Sequence, residues 1–233
     1  MKIRVRRKTG TTPQGRGRFP DFDVLNEVDH WDELTRAVVV DRLTTPPVAF
    51  FSADEEPTAR ALVDLLLAQD ADPRVPVLEM IDARLLAGIG DGYRYSSLPE
   101  DPEAWRQSVA GLDEDAYAAH GMRFSELPPG RQAKLIEDVR RNDDWHGLPG
   151  STLFSLWMRY ACTAFYSHPW AWNEIGFPGP AYPRGYKTLA PDRLESFEVR
   201  ESDARDPIPW ATKVDEATDK HQDMLEDLDR PGH

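Results

Sequence analysis

Residues 151–166 read STLFSLWMRYACTAFY. Apart from Arg159 the stretch is apolar nearly all round, and a helix of that character belongs at the centre of a core. It is too short for a membrane span, which needs roughly 18 or more consecutive apolar residues. Arg159, a charge within this helix, requires a carboxylate or carbonyl partner inside the protein. Working outward, the preceding sequence supplies helices to surround it. PTARALVDLLLAQD, in the helix expected over 57–69, sets Leu62, Val63, Leu66 and Leu67 on one stripe. Ser52 and Glu55 before it have capping-box spacing. Pro57 moves the start toward Asp54, with the proline in the first turn. VPVLEMIDARLL (76–87) turns Val77, Met80, Ile81 and Leu85 inward, and Gly88, Gly90 and Gly92 end it. Asp101-Pro102 starts a third helix with Asp101 as N-cap; Trp105, Val109, Leu112 and Tyr117 follow at helical spacing to Gly121. A fourth helix covers about 128–141, with Leu135, Ile136 and Val139 apolar and Gln132 and Lys134 outward. The expected architecture is mainly α: a compact bundle of about five helices.

The flanks differ in texture. Residues 167–191, SHPWAWNEIGFPGPAYPRGYKTLAP, hold five Pro, three Gly and five aromatics. That is too rich in Pro and Gly for regular structure and too aromatic for a solvated linker, so the segment folds back on the helices or docks on another protein. Upstream, FDVLNEVDHWDELTRAVVVD (22–41) has mixed spacing, and its Ala37–Val40 run fits a short strand or a buried helical turn equally well. Pro46-Pro47 closes this lead-in. The chain therefore divides into a basic arm and lead-in segment (1–50), a helical domain (51–190) and an acidic C-terminal tail (191–233), with long irregular extensions at both ends. The tail includes a short amphipathic stripe at Met224, Leu225 and Leu228.

Composition narrows the function. The 233 residues carry a formal net charge of −13. All 41 acidic side chains lie beyond residue 20, so an arm of +7 precedes a body of −20. The arm reads as a solvated terminus or as a contact with nucleic acid, an anionic membrane or an acidic partner. The acidic body repels phosphate, and Phe19 is the arm's one aromatic, which argues against nucleic acid. Arg6-Arg7 lacks the apolar run of an export signal behind it. The expectation is a cytoplasmic chain, periplasmic only as a passenger on an exported partner. Cys162 is the one cysteine, which excludes an internal disulfide framework, a four-cysteine zinc site and a self-contained iron–sulfur cluster.

No strong catalytic constellation stands out. Gly88-Ile89-Gly90-Asp91-Gly92 resembles a phosphate loop, but a dinucleotide fingerprint follows a strand and opens a helix; here a helix precedes and loop follows, so a helix stop is the simpler reading. The six histidines are scattered, and His168 with Glu174 gives too few ligands for a metal. His168 and Asn173 are expected to bond loop backbone, because a Pro-rich segment leaves carbonyls without regular partners. Cys162, mid-helix among apolar neighbours, reads as structural.

Within 165–186 the sequence becomes specific. FYSHP (165–169), WNEIGFPGP (172–180) and YPRGY (182–186) resemble the C-terminal signature of the gluconate 2-dehydrogenase subunit 3 family, with earlier pieces agreeing in order over roughly 50–190. The resemblance implies a non-catalytic small subunit of a heteromeric FAD-dependent, GMC-type dehydrogenase acting on a sugar, sugar acid, glycoside or polyol. It implies that FAD and hydride transfer belong to the large subunit, that no cofactor resides in this chain, and that the small subunit binds, stabilises and matures its partner. Some relatives add a cytochrome subunit. Many carry the twin-arginine signal that is missing here. On this reading the partner interface is expected at Arg159, His168, Trp170, Trp172, Phe177, Tyr182, Arg184 and Tyr186, since aromatics and Arg favour interface cores. The alternatives are rings that pack on the chain's own helices, a free-standing flavin-loading chaperone, or an independent enzyme with a pocket at Arg159, His168 and Glu174.

Overall fold

Apolar side chains at helical spacing become helix throughout the described chain. The computed structural model describes residues 18–19, 21–69, 72, 74–188 and 193–204. The basic arm through residue 17, and the tail beyond residue 204 with its Met224–Leu228 stripe, lie outside these. Among the described residues are α1 (Glu33–Asp41), α2 (Glu56–Leu66), α3 (Val77–Leu86), α4 (Asp101–His120), α5 (Pro129–Arg141), α6 (Gly150–Ser167) and α7 (Pro169–Ile175). Three short 3₁₀ segments, including Val24–His30 and Phe124–Glu126, and no strand accompany them. The protein is mainly α, and α2–α6 are the five helices expected from the sequence.

The helix α6 is the axis. It packs most extensively on α5 and α3 and also touches α2 and α7. Leu153, Leu156, Trp157, Tyr160, Ala164 and Phe165 are buried in the main core with Leu62, Ile81, Trp105, Leu112 and Val139. Its isolation from solvent is incomplete: Ser151, Ser155, Thr163 and Tyr166 form an exposed edge, correcting the expectation of a helix surrounded on all sides. The tightest approach is to α5. A Cβ on Gly150 would lie 1.9 Å from the Val139 carbonyl oxygen, so no side chain fits there, and the Gly150 N–H donates to the Asn142 carbonyl at 3.0 Å.

Polar groups inside this core pin segments together. The Asp82 carboxylate, fully buried on α3, accepts the N–H groups of Ala49 at 2.8 Å, Phe50 at 2.9 Å and Phe51 at 2.9 Å. Trp157 Nε1 donates to Ser108 Oγ at 2.9 Å. Gln132, expected outward, is buried, because its Nε2 donates to the Phe124 carbonyl at 2.9 Å and so ties α5 to the 3₁₀ turn before it. Tyr117 is exposed, and Ala116 takes the inward place.

Ahead of α2 the capping box forms: Glu55 Oε2 accepts the Ser52 N–H at 2.8 Å, and Ser52 Oγ accepts the Glu55 N–H at 3.3 Å. The helix then starts at Glu56, with Pro57 in its first turn. Arg106 also grips Glu55, at 2.6 Å. Partial burial works against the Glu55 charge. The Ser52 N–H and Arg106 outweigh it and hold the carboxyl below its ordinary 4.5. An acid depressed in the folded state stabilises above its unfolded value, and that stability is lost as pH falls through the depressed one. Glu55→Gln should therefore lower Tm most at neutral pH, and the gap to wild type should close in acid. Thermal melts across the acidic range check this; a gap independent of pH would refute it.

A smaller second core lies beside α7. Val24, Trp31, Val39 and Trp172 are buried together, with Phe22, Leu25 and Val28 packed against them. The ambiguous 37–40 run resolves here as helix, since Val39 of α1 faces Trp172. Regular structure also appears where Pro and Gly argued against it: α7 begins at Pro169, a residue tolerated at the first helical position because its missing N–H has no intrahelical partner there.

Candidate functional site

The 165–186 block is assembled residue by residue around α7. His168, at 1% exposure, caps the helix: its Nδ1 accepts the Trp170 N–H at 3.1 Å, and its ring meets the Trp170 ring edge to face at 5.0 Å. Trp172, at 5% exposure, fills the second core, and its Nε1 donates to the Tyr166 carbonyl at 2.6 Å. Asn173 Oδ1 accepts the Val24 N–H at 2.8 Å, and Nδ2 donates to Asp23 at 3.2 Å. The one side-chain amide thus fastens the start of the lead-in segment to α7. Gly179 has φ +79, and a Cβ there would lie 2.4 Å from the Trp31 ring; only glycine satisfies both demands. Arg184 pairs with Glu27 and lies 3.8 Å over the Phe197 ring. From the other side, Arg42 donates to the Ser167 carbonyl at 2.8 Å and sits over Trp172.

The expected interface residues separate accordingly. Phe177, Tyr182 and Tyr186 are exposed, and Trp170 is half-buried against the main core. The expected exposure of Trp172 is corrected: its ring is taken up by Val24, Trp31 and Val39. His168 is buried as a cap, and Arg159 and Arg184 are largely enclosed in ion pairs. His168 bonds backbone of its own segment as expected, but at the Trp170 N–H and not at a carbonyl; Asn173 bonds the Val24 N–H of the lead-in segment, correcting the expectation of a loop partner. Sequence reasoning missed Leu34, Val38, Tyr166 and Ile175, all exposed large apolar residues. A helical reading of 33–41 would have found the first two, one turn apart on the helix that buries Val39.

Arg159 is set apart from His168. Arg159 and His168 stand nine residues apart, roughly 13 Å of helical rise. Arg159 instead reaches the start of α4: Nη2 donates to Asp101 Oδ2 at 2.9 Å, and Nε lies 3.3 Å from Asp91. Burial opposes its charge, but Tyr93, Asp101 and Asp91 outweigh burial and strengthen its hold on the proton. Tyr160 donates to the same Asp101 oxygen at 2.8 Å. Burial and that bond push the phenol up, so it stays protonated. Asp101 is thus committed to α6 and makes no side-chain cap; Glu100 takes the N-cap position.

These residues adjoin a cavity of about 600 Å³ whose walls include Arg84, Leu85, Gly88, Tyr93, Arg94, Glu100 and Tyr160. Arg84 pairs with Asp91, and Arg94 with Glu100 at 3.2 Å. With its charged groups paired, the wall offers fixed hydrogen-bonding groups in place of a free base or nucleophile. The glycine loop lines it, but follows α3 and leads into irregular chain, so no helix N-terminus faces the cavity from that loop, and the geometry does not fit a dinucleotide. Among the described residues no three His, Cys, Asp or Glu side chains converge to hold a metal, and no helix is long and apolar enough to cross a membrane. Cys162 is half-buried, and burial pushes its thiol up, away from the reactive thiolate.

A family model described as gluconate 2-dehydrogenase subunit 3 matches residues 53–179, more than half the chain. It covers α2 to α7 and ends at Gly179. No curated protein and no solved structure matches.

Proposed function

The chain belongs to the gluconate 2-dehydrogenase subunit 3 family, an accessory subunit of a dehydrogenase, and from that membership we propose that it is the non-catalytic small subunit of a heteromeric, FAD-dependent GMC-type enzyme. Its role is to bind, stabilise and help mature the flavin-bearing large subunit. The reaction of the complex is oxidation of a sugar, sugar acid, glycoside or polyol, with FAD and hydride transfer in the partner and, in a larger assembly, a cytochrome subunit to take the electrons. The complex resides in the cytoplasm, or in the periplasm if the partner is exported.

The observation that carries this reading, beyond the family match, is where the chemically capable side chains are spent. His168 caps α7, Arg159 and Tyr160 converge on Asp101, and the Cys162 thiol is held protonated. His168, Arg159 and Tyr160 thereby fix the scaffold. What the scaffold presents outward is aromatic and apolar, on a segment held rigid by Asn173 and Gly179, and a preorganised surface loses little entropy on docking.

Co-expression with a GMC-type flavoprotein, followed by purification through a tag on this chain, tests the proposal. A stable yellow complex on a sizing column is the expected result. Recovery of this chain alone would overturn it. Release of a flavin-loaded partner without a lasting complex would favour the chaperone reading, and dye-linked sugar oxidation by the isolated chain would favour an independent enzyme.

A further inference from the structure

Exposed large apolar side chains are distributed unevenly. Of the twelve among the described residues, eight belong to α1 or to residues 166–194. Five are tied to one point. Leu34 is 73% exposed and Val38 47%, one helical turn apart on α1, whose Val39 is buried against Trp172. Tyr166 is 51% exposed, and its carbonyl accepts the Trp172 Nε1 proton. Phe177 is 37% exposed with its ring 5.3 Å from Trp172, and Ile175 is 49% exposed at the end of the same short helix. Exposed apolar side chains gathered on segments that meet at one buried ring are the material of an interaction site.

The segment that carries Leu34 and Val38 is acidic. Residues 21–41 carry seven carboxylates and one arginine, Arg36. Asp23 and Asp32 are used as caps, and Glu27 is paired to Arg184. Asp29, Glu33 and Asp41 are exposed and make no ion pair among the described residues.

We propose that the face built on Trp172 seats the partner subunit, and that the partner surface it accepts has an apolar centre ringed by Lys and Arg. This rests on the reading of the chain as a small subunit. An apolar centre excludes water and supplies the binding energy; an opposite-charge rim steers the encounter and fixes the register. Trp172 is the keystone behind the face, so the surface is assembled only when the lead-in segment is docked.

The test uses the full chain co-expressed with its flavin-bearing partner. Leu34→Glu with Val38→Glu, both at exposed helical positions, should leave the thermal melt unchanged and weaken the complex by roughly thirtyfold or more, the scale of an interface hot spot. Glu33→Lys with Asp41→Lys should slow association and flatten its dependence on salt. Leu86→Glu with Ile89→Glu, comparably exposed at the end of α3 and on the loop after it, should bind as wild type. Wild-type affinity in the Leu34/Val38 variant, or loss of the complex in the Leu86/Ile89 control alone, would overturn the assignment while leaving the subunit reading intact. A concentration-dependent dimer of the isolated chain, abolished by Leu34→Glu with Val38→Glu, would overturn it in favour of a second copy. Failure of the wild-type chain to form any complex would overturn the subunit reading, and this inference with it.

Discussion

Asp82→Ala is expected to destabilise the whole helical domain by about 3–5 kcal/mol, since hydrogen bonds to a charged acceptor contribute roughly 1.5–3 kcal/mol each. The carboxylate is fully buried and is the acceptor for three successive backbone N–H groups, those of Ala49, Phe50 and Phe51. Those donors have no other partner among the described residues; Phe51 is buried, and an unsatisfied buried donor costs about 1–3 kcal/mol. Removing the acceptor frees the segment that carries Phe51 into the core against Trp105 and undermines Arg106, which bonds the Phe50 carbonyl at 2.7 Å. At roughly 2–4 °C per kcal/mol for a chain of this size, Tm should fall by about 10 °C. Asp82→Asn keeps the volume but turns a donor toward two N–H groups in place of an acceptor, and should lose a substantial part of the same stability. Urea unfolding followed by tryptophan fluorescence measures both. A loss under about 1 kcal/mol for Asp82→Ala would show that water replaces the carboxylate without penalty.

Asp82 also marks the limit of what the sequence discloses. In VLEMIDARLL it falls among residues that a helical period sends outward or inward with equal ease, and an acid is normally assigned to solvent. Its partners are backbone N–H groups 31–33 residues earlier, and backbone donors leave no trace in side-chain pattern. Gln132 is hidden for the same reason: its partner is a carbonyl. Arg159 shows the intermediate case. Its place in an apolar helix demands a buried acceptor, so a carboxylate partner was legible, but the choice of Asp101 was not, because Asp101-Pro102 also reads as a helix cap. Helices α2 to α6 were legible because their Leu, Val and Trp spacing repeats over several turns. Short α1 and α7 were not. Three consecutive valines carry no period, and Pro169 reads as a breaker unless His168 before it and Gly176 after it are taken together as the two ends of a helix. At the candidate site, the block 165–186 was visible as specific, but which rings face solvent depended on Val24, Trp31 and Val39 meeting Trp172, a contact between distant parts of the chain.

That contact gives the second large effect. Trp172→Ala is expected to empty the second core and release the lead-in segment while the five-helix domain stays folded. Deleting a buried Trp side chain costs about 3–5 kcal/mol, and the cluster that receives this loss is small: Val24, Trp31 and Val39, with Phe22, Leu25 and Val28 at its edge. Its remaining ties are the Asn173 bonds to Val24 and Asp23, the Arg42 bond to Ser167 and the Arg184–Glu27 pair. The neutral Asn173–Val24 bond contributes only about 1 kcal/mol net of water, the bonds that involve Asp23 and Arg42 about 1.5–3 kcal/mol each where desolvated, and part-exposed ion pairs little more than the neutral bond. The segment should therefore open as a unit of its own, in the manner of sub-global unfolding. Hydrogen exchange reads this directly: the Val24 amide, bonded to Asn173 in the wild type, should lose protection by about a hundredfold or more, a shift of roughly 3 kcal/mol. Amides inside α4 and α6 should keep theirs. The same variant should lose affinity for the partner, because Leu34 and Val38 are placed by the helix that Trp172 holds, whereas Leu34→Glu with Val38→Glu removes affinity without changing exchange at Val24. Uniform loss of protection across α4 and α6 in Trp172→Ala would mean that the two cores unfold as one, and that the lead-in segment is part of the domain's foundation and not a separately docked element.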